Sequence, residues 1–215
     1  EFRNVTYTYG GAEKPTLNNL SFTLHKGEKL ALVGLNGAGK STIVKLMCGL
    51  YDPTEGEILL NGVNVREYNR DEYFGLFSAV FQDISLLAVS VEENITGQTE
   101  DKCDREKLID CMKKSGIYDK AMTLPEQEKT LLVRSVYQNS VDLSGGEKQK
   151  LALAKALYKG ASILLLDEPT AALDAVAEQQ MYMNYLEFSK ARSSVFISHR
   201  LASTRFCDRI IMIEN

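Results

Sequence analysis

The sequence predicts an α/β fold: a mainly parallel sheet, an N-terminal antiparallel β subdomain and an inserted α-helical subdomain. Three observations carry this. Four short apolar runs, Leu30–Val33, Ile163–Leu166, Val195–Ile197 and Ile210–Ile213, read as β-strands, the first of them as one buried on both faces. Helical stretches alternate with them, which is the pattern of a parallel sheet. Between about Asp83 and Gly160 the composition turns more charged and mostly helical.

In chain order, Val5–Tyr9 alternates as a strand and Leu20–Leu24 reads as a second, with the polar Gly10–Pro15 loop between. Leu30–Val33 runs into a glycine-rich stretch that opens a helix, Lys40–Leu50. Tyr51-Asp52-Pro53-Thr54-Glu55-Gly56 is turn chemistry. Glu57–Leu60 is a strand and Asn61-Gly62 a hairpin signal. Asp104–Lys114 sets Leu108, Cys111 and Met112 on one helical face; Glu147–Tyr158 turns Leu151, Ala154 and Leu157 inward. A helix, Ala175–Lys190, separates two of the apolar strands. The expected division is a core of 1–82 and 161–215, which includes the β subdomain, and a helical subdomain of about 83–160.

The chain has 215 residues, 44% hydrophobic, enough for one core with a subdomain. A net charge of -4 offers no basic footprint for nucleic acid. No apolar run approaches the roughly 20 residues that span a bilayer. The four cysteines show no metal-ligand spacing and read as free thiols. We read the chain as a domain of something longer.

Gly34-Leu35-Asn36-Gly37-Ala38-Gly39-Lys40-Ser41 is a P-loop placed after an apolar strand and before a helix. Its glycines let backbone amides converge on phosphate, and the helix adds its positive N-terminal end. Lys40 supplies a point charge to the β- and γ-phosphates, and Ser41 a hydroxyl to Mg²⁺. Asp167 and Glu168 close the Ile163–Leu166 run. There an apolar strand delivers two carboxylates to the sheet edge where ligands bind. Asp167 suits Mg²⁺ and Glu168 a general base for the attacking water. Leu143-Ser144-Gly145-Gly146-Glu147 is a capping box, Ser144 with Glu147 three residues on. Two glycines in a first turn weaken a helix by about 1 kcal/mol each, so close approach of backbone to phosphate explains them better. Only His25 and His199 are histidines, and His199 ends a core strand on the same edge. On the residues alone, Tyr7 and Tyr9 are rival aromatics on one strand face.

These motifs, in this order, resemble the ATP-binding-cassette (ABC) ATPase domain, and the resemblance spans essentially the whole chain. It implies a RecA-like P-loop NTPase core that binds ATP and Mg²⁺ and hydrolyses ATP. The ATP-binding set would be Tyr9, Gly34, Asn36, Gly37, Ala38, Gly39, Lys40, Ser41 and Thr42, with Tyr9 stacking on adenine. The catalytic set would be Glu168, the switch histidine His199 and Gln82, the Q-loop glutamine in Val80-Phe81-Gln82-Asp83. Ser41, Gln82 and Asp167 would serve the metal. Ser144, Gly145 and Gly146 of the signature and Asp174 of the D-loop would act across a head-to-tail pair of domains, on ATP held by the other copy.

The resemblance further implies a second copy of this or a homologous domain, and a transmembrane permease domain, expected to be fused upstream. It would place the domain at the cytoplasmic face of the membrane. Phe81–Leu87 and Ser90-Val91-Glu92-Glu93-Asn94-Ile95 resemble exporter segments. An importer subunit is the alternative, as is a non-transport ATPase of DNA repair or translation. The missing heptads and the acidic balance weigh against the latter. Three departures stand out. The signature ends in Glu147 rather than Gln, and Ala171 replaces a frequent Ser. Arg134–Asp142 lacks the Thr-Glu-Val-Gly-Glu-Arg-like stretch of many exporters and looks more like the peptide and lantibiotic branch.

Overall fold

The computed structural model describes residues 1–98, 102–169, 175–190, 192–198 and 201–214. They form two compact units, Glu1–Ala79 with Ser162–Glu168 and Ser189–Asn215, and Val80–Ala161 with Pro169–Phe188. The helix expected within the core segment 161–215 thus falls, up to Phe188, in the second unit.

In the first unit, β1 (Phe2–Tyr7), β2 (Leu17–Phe22), β4 (Glu55–Leu60) and β5 (Val63–Asn64) make an antiparallel sheet in the order β2-β1-β4-β5. Phe2 lies opposite Phe22 and their rings stack at 4.6 Å, an aromatic cross-strand pair. The β4–β5 hairpin turns on Asn61-Gly62. The first strand ends at Tyr7 and not at Tyr9, because the chain leaves the ladder after the Tyr7–Leu17 pair.

A second sheet has the order β6-β7-β8-β3-β9, from Phe77–Val80, Ile163–Asp167, Ser193–Ile197, Lys29–Gly34 and Arg209–Ile213 respectively. Pairs β7–β8, β8–β3 and β3–β9 are parallel. Leu30, Leu32, Leu165, Leu166, Val195 and Ile197 are fully buried, as uninterrupted apolar strands require. The register is what positions the site. Ile197 pairs with both Leu32 of β3 and Asp167 of β7, so the carboxylate end of β7 and the glycine end of β3 flank one strand.

Helix α1 (Lys40–Met47) is shorter than expected. Gly49 adopts φ 73, its N–H bonding Leu46 O while Leu50 N–H bonds Lys45 O, and this left-handed stop closes the helix before Leu50. Helix α2 (Arg70–Gly75) precedes β6, a strand the sequence hides. Phe-Ser-Ala-Val is too short and too mixed for a periodic signal.

In the second unit, α3 (Val91–Thr96) and α4 (Arg105–Ser115) pack on α6 (Gly145–Lys159), α5 (Tyr118–Met122) packs on α4, and α7 (Ala175–Ser189) belongs to the unit up to Phe188. Leu108, Cys111 and Met112 of α4 and Leu151, Ala154 and Leu157 of α6 are buried, the faces the spacing predicts. Ser90 and Glu93 form a capping box on α3, and Asp104 caps α4. Buried Asn94 accepts from Leu87 N–H and donates to the carbonyls of Leu87, Val89 and Ser90, fixing the loop before α3. All four cysteines are free thiols. Among the described residues, no helix is long and apolar enough to cross a membrane.

The N-terminal ends of β3, β8 and β9 are tied by Glu28. Its carboxylate accepts from Arg209 Nε at 2.6 Å and from the His25 N–H at 2.7 Å, while its carbonyl accepts from Ser194 N–H. Burial resists ionisation of Glu28, but Arg209 and the His25 amide prevail and hold its carboxyl below the usual value. A depressed folded pKa means stability that is present above the unfolded pKa and lost as pH falls through the folded one. Glu28→Gln should therefore destabilise the domain by about 1–3 kcal/mol at pH 7. In urea melts the gap from wild type should close as the pH falls below about 4.

Candidate functional site

The first unit brings most of the nucleotide set together. β3 delivers Gly34 to the sheet edge; Leu35, Asn36 and Gly37 lie exposed beyond it, and Ala38, Gly39 and Lys40 turn inward. Gly39 caps α1 at φ 91, and a Cβ there would lie 2.6 Å from Leu17 Cδ2 and 3.1 Å from Thr16 O. Both the conformation and the space demand glycine. Ala38 N–H bonds Leu35 O at 3.2 Å, closing the loop.

Lys40 is buried, with 5% exposure. Its ammonium donates to Gly34 O and Leu35 O, both at 2.9 Å, so it is held by the carbonyls of its own loop. Burial draws its pKa down, and the charges of Glu168 and Asp167 draw it back up. Asp167, at the end of β7, is 2% exposed. Burial pushes its carboxyl above the usual range; the Ser41 hydroxyl, Lys45 and Lys40 oppose that rise, and the neighbouring Glu168 charge adds to it. Asp167 Oδ1 is buried without a hydrogen-bond partner. An orphaned carboxylate oxygen beside a serine hydroxyl fits a small hard divalent cation, which seeks oxygen ligands. The residues therefore suit Mg²⁺.

Glu168 stands next in the chain with its N–H on Ile197 O at 3.1 Å and its backbone at φ 47. A non-glycine residue in that region is held there by its surroundings, and such strain gathers at working sites. The hydroxyls of Tyr9 and Thr42 lie 3.0 Å apart, which ties the aromatic residue to the first turn of α1. Tyr7 instead stacks on Tyr51 at 5.3 Å, and Tyr9 stands edge-on to both rings.

Gln82 and the Ser144 turn belong to the second unit. Gln82 is exposed. Ser144 caps α6: its N–H donates to Glu147 Oε2 at 2.8 Å, and Glu147 N–H donates to its hydroxyl. The capping box read in the sequence is formed, and Ser144 and Gly145 stay exposed at its tip. His199 and Asp174 lie outside the described residues.

Sequence reasoning missed three features. Tyr51 was read only as turn chemistry, although an aromatic directly after a helix stop was the available signal. Lys45 spans Tyr51, 5.8 Å from its ring centroid, and the charge of Asp167. Lys120 Nζ lies 3.1 Å from Glu147 Oε1, a pairing that spacing does not reveal.

Residues 17–171 match the ABC transporter family. The chain is 36% identical over 217 residues to the subtilin transport ATP-binding protein SpaT of Bacillus subtilis, covering 99% of this chain and 35% of that protein. It is 37% identical over 214 residues to the ATP-dependent lipid A-core flippase of Pasteurella multocida, covering 100% of this chain and 36% of that protein. A solved bacterial Atm1-family ABC exporter with ATP bound is similar with a TM-score of 0.89 at 33% identity, covering 99% of this chain and 36% of that one. The chain thus spans about a third of the length of these relatives.

Lys40→Met keeps the aliphatic stem and removes the ammonium. A charged hydrogen bond is worth about 1.5–3 kcal/mol, so ATP affinity should fall about 10–100-fold, read by titration with a fluorescent nucleotide.

Proposed function

Because the chain belongs to the ABC transporter family, we propose that it is the ATP-hydrolysing domain of an exporter. The single observation that carries this is the edge of the parallel sheet, where buried Lys40 and buried Asp167 meet beside the strained Glu168. Lys40 exchanges its two loop carbonyls for phosphate oxygens, and the amides of Gly37 to Ser41 support the same phosphates. Tyr9 stacks on the base, with Tyr7 and Tyr51 edge-on to its ring. Asp167, Ser41 and, by the resemblance, Gln82 would hold Mg²⁺, which would neutralise phosphate charge.

Glu168 accepts a proton from the water as its oxygen bonds to the γ-phosphorus and the bond to the β,γ-bridging oxygen breaks, releasing ADP, and His199 orients Glu168. Ser144, Gly145 and Gly146 of one copy, with Asp174, face the nucleotide of a second copy, so two domains close head to tail around two ATP. Binding closes the pair and hydrolysis reopens it. The relatives, about three times longer, support a permease domain fused to this one, with the ATPase on the cytoplasmic face of the membrane. Export is favoured over import because a transport ATP-binding protein, a flippase and a solved exporter align over nearly the whole chain.

Glu168→Gln should lower steady-state hydrolysis by about 10²–10⁴-fold, the usual contribution of a general base, while ATP still binds. A phosphate-release assay beside a binding titration reads both. Unchanged turnover removes Glu168 as the base.

A further inference from the structure

The second unit carries a charge that its proposed task disfavours. The first turn of α6 presents backbone amides worth about half a positive charge, which favours an anion. Glu147 places a full carboxylate in that same turn, with Oε2 on the Ser144 N–H at 2.8 Å. A neutral glutamine at this position would make the same reciprocal cap without the charge. An unbalanced Glu147 would cancel the field that draws a triphosphate to the turn.

The structure shows what balances it. Lys120, on the neighbouring helix α5, extends its ammonium to Glu147 Oε1 at 3.1 Å, so both carboxylate oxygens are engaged. Half-burial resists ionisation of Glu147, but the Ser144 N–H, Lys120 and the Ser144 hydroxyl together hold its carboxyl below the usual value. The pair is an ionised one. At 39% and 24% side-chain exposure it adds little to stability, as partly solvated ion pairs do. Its consequence is electrostatic.

We propose that Lys120 is a positioning residue for nucleotide capture: its ammonium neutralises Glu147, so that the Ser144–Gly146 turn meets a triphosphate as a net positive helix end. This rests on the reading that the turn contacts ATP held by a second copy. Lys120 touches no reacting atom; it acts through Glu147.

The test is a double-mutant cycle in ATP hydrolysis. Lys120→Ala should raise KM for Mg-ATP about threefold to tenfold with little change in kcat. The rise should shrink in 1 M salt, where the screening length falls to about 3 Å. The double variant Lys120→Ala/Glu147→Gln, with both charges gone, should return KM to near the wild-type value, and Lys120→Arg should behave as wild type. A double variant that keeps the raised KM of Lys120→Ala would make Lys120 a simple prop for α5 on α6 and overturn the proposal, as would no rise at all. Ser144→Arg, assayed alongside, separates the two readings. If it hydrolyses normally, the trans role of the turn fails. If it is inactive while Lys120→Ala is silent, only the role of Lys120 fails.

Discussion

Burying an ammonium and a carboxylate at one edge of a sheet is the constraint on which the rest of this molecule turns. Neither charge tolerates the interior unless something compensates it. Lys40 is compensated by two carbonyls of its own loop, whereas Asp167 keeps one buried oxygen without a partner. Strands of a parallel sheet lie about 4.8 Å apart, so the ends of β3 and β7, flanking β8, stand about 10 Å from each other. The interval is bridged by the first turn of α1, which carries both Lys40 and Ser41. The apolar β3, β7 and β8 fix the register, the register fixes the carboxylate, and the glycine-lined loop folds the lysine back toward it.

The second unit solves a related problem differently. Its Ser144 turn is exposed rather than buried, and it is built by a cap instead of a strand end. Ser144 and Glu147 satisfy the first amides of α6 reciprocally, while Lys120 supplies the countercharge that a carboxylate at this position needs. Each unit thus keeps its own charge accounting.

Much of this was legible in the sequence. Uninterrupted runs such as Leu30–Val33 and Ile163–Leu166 declare strands buried on both faces, and the P-loop and Asp167-Glu168 follow directly from them. Helix faces on α4 and α6 were legible because an amphipathic stripe repeats. Phe77–Val80 was not, since four mixed residues at a sheet edge carry no period. The end of α1 was misplaced by a few residues because a left-handed Gly49 stop is decided by backbone geometry and not by composition. The Tyr9–Thr42, Tyr7–Tyr51 and Lys120–Glu147 contacts join residues distant in sequence, and only tertiary structure brings such side chains together. The backbone of Glu168 at φ 47 is likewise invisible in a string of letters.

The central claim is that the Lys40–Asp167 edge is a paired phosphate and cation site. The most direct test is the melting temperature of the wild-type chain with ATP, once with excess Mg²⁺ and once with EDTA. Ligand at about a hundred times its dissociation constant adds about 2.7 kcal/mol, so Mg²⁺ with ATP should raise the midpoint by about 5–10 °C. Chelation should remove much of that rise, because Asp167 would again face phosphate without a cation between them. An equal rise in EDTA would contradict the account.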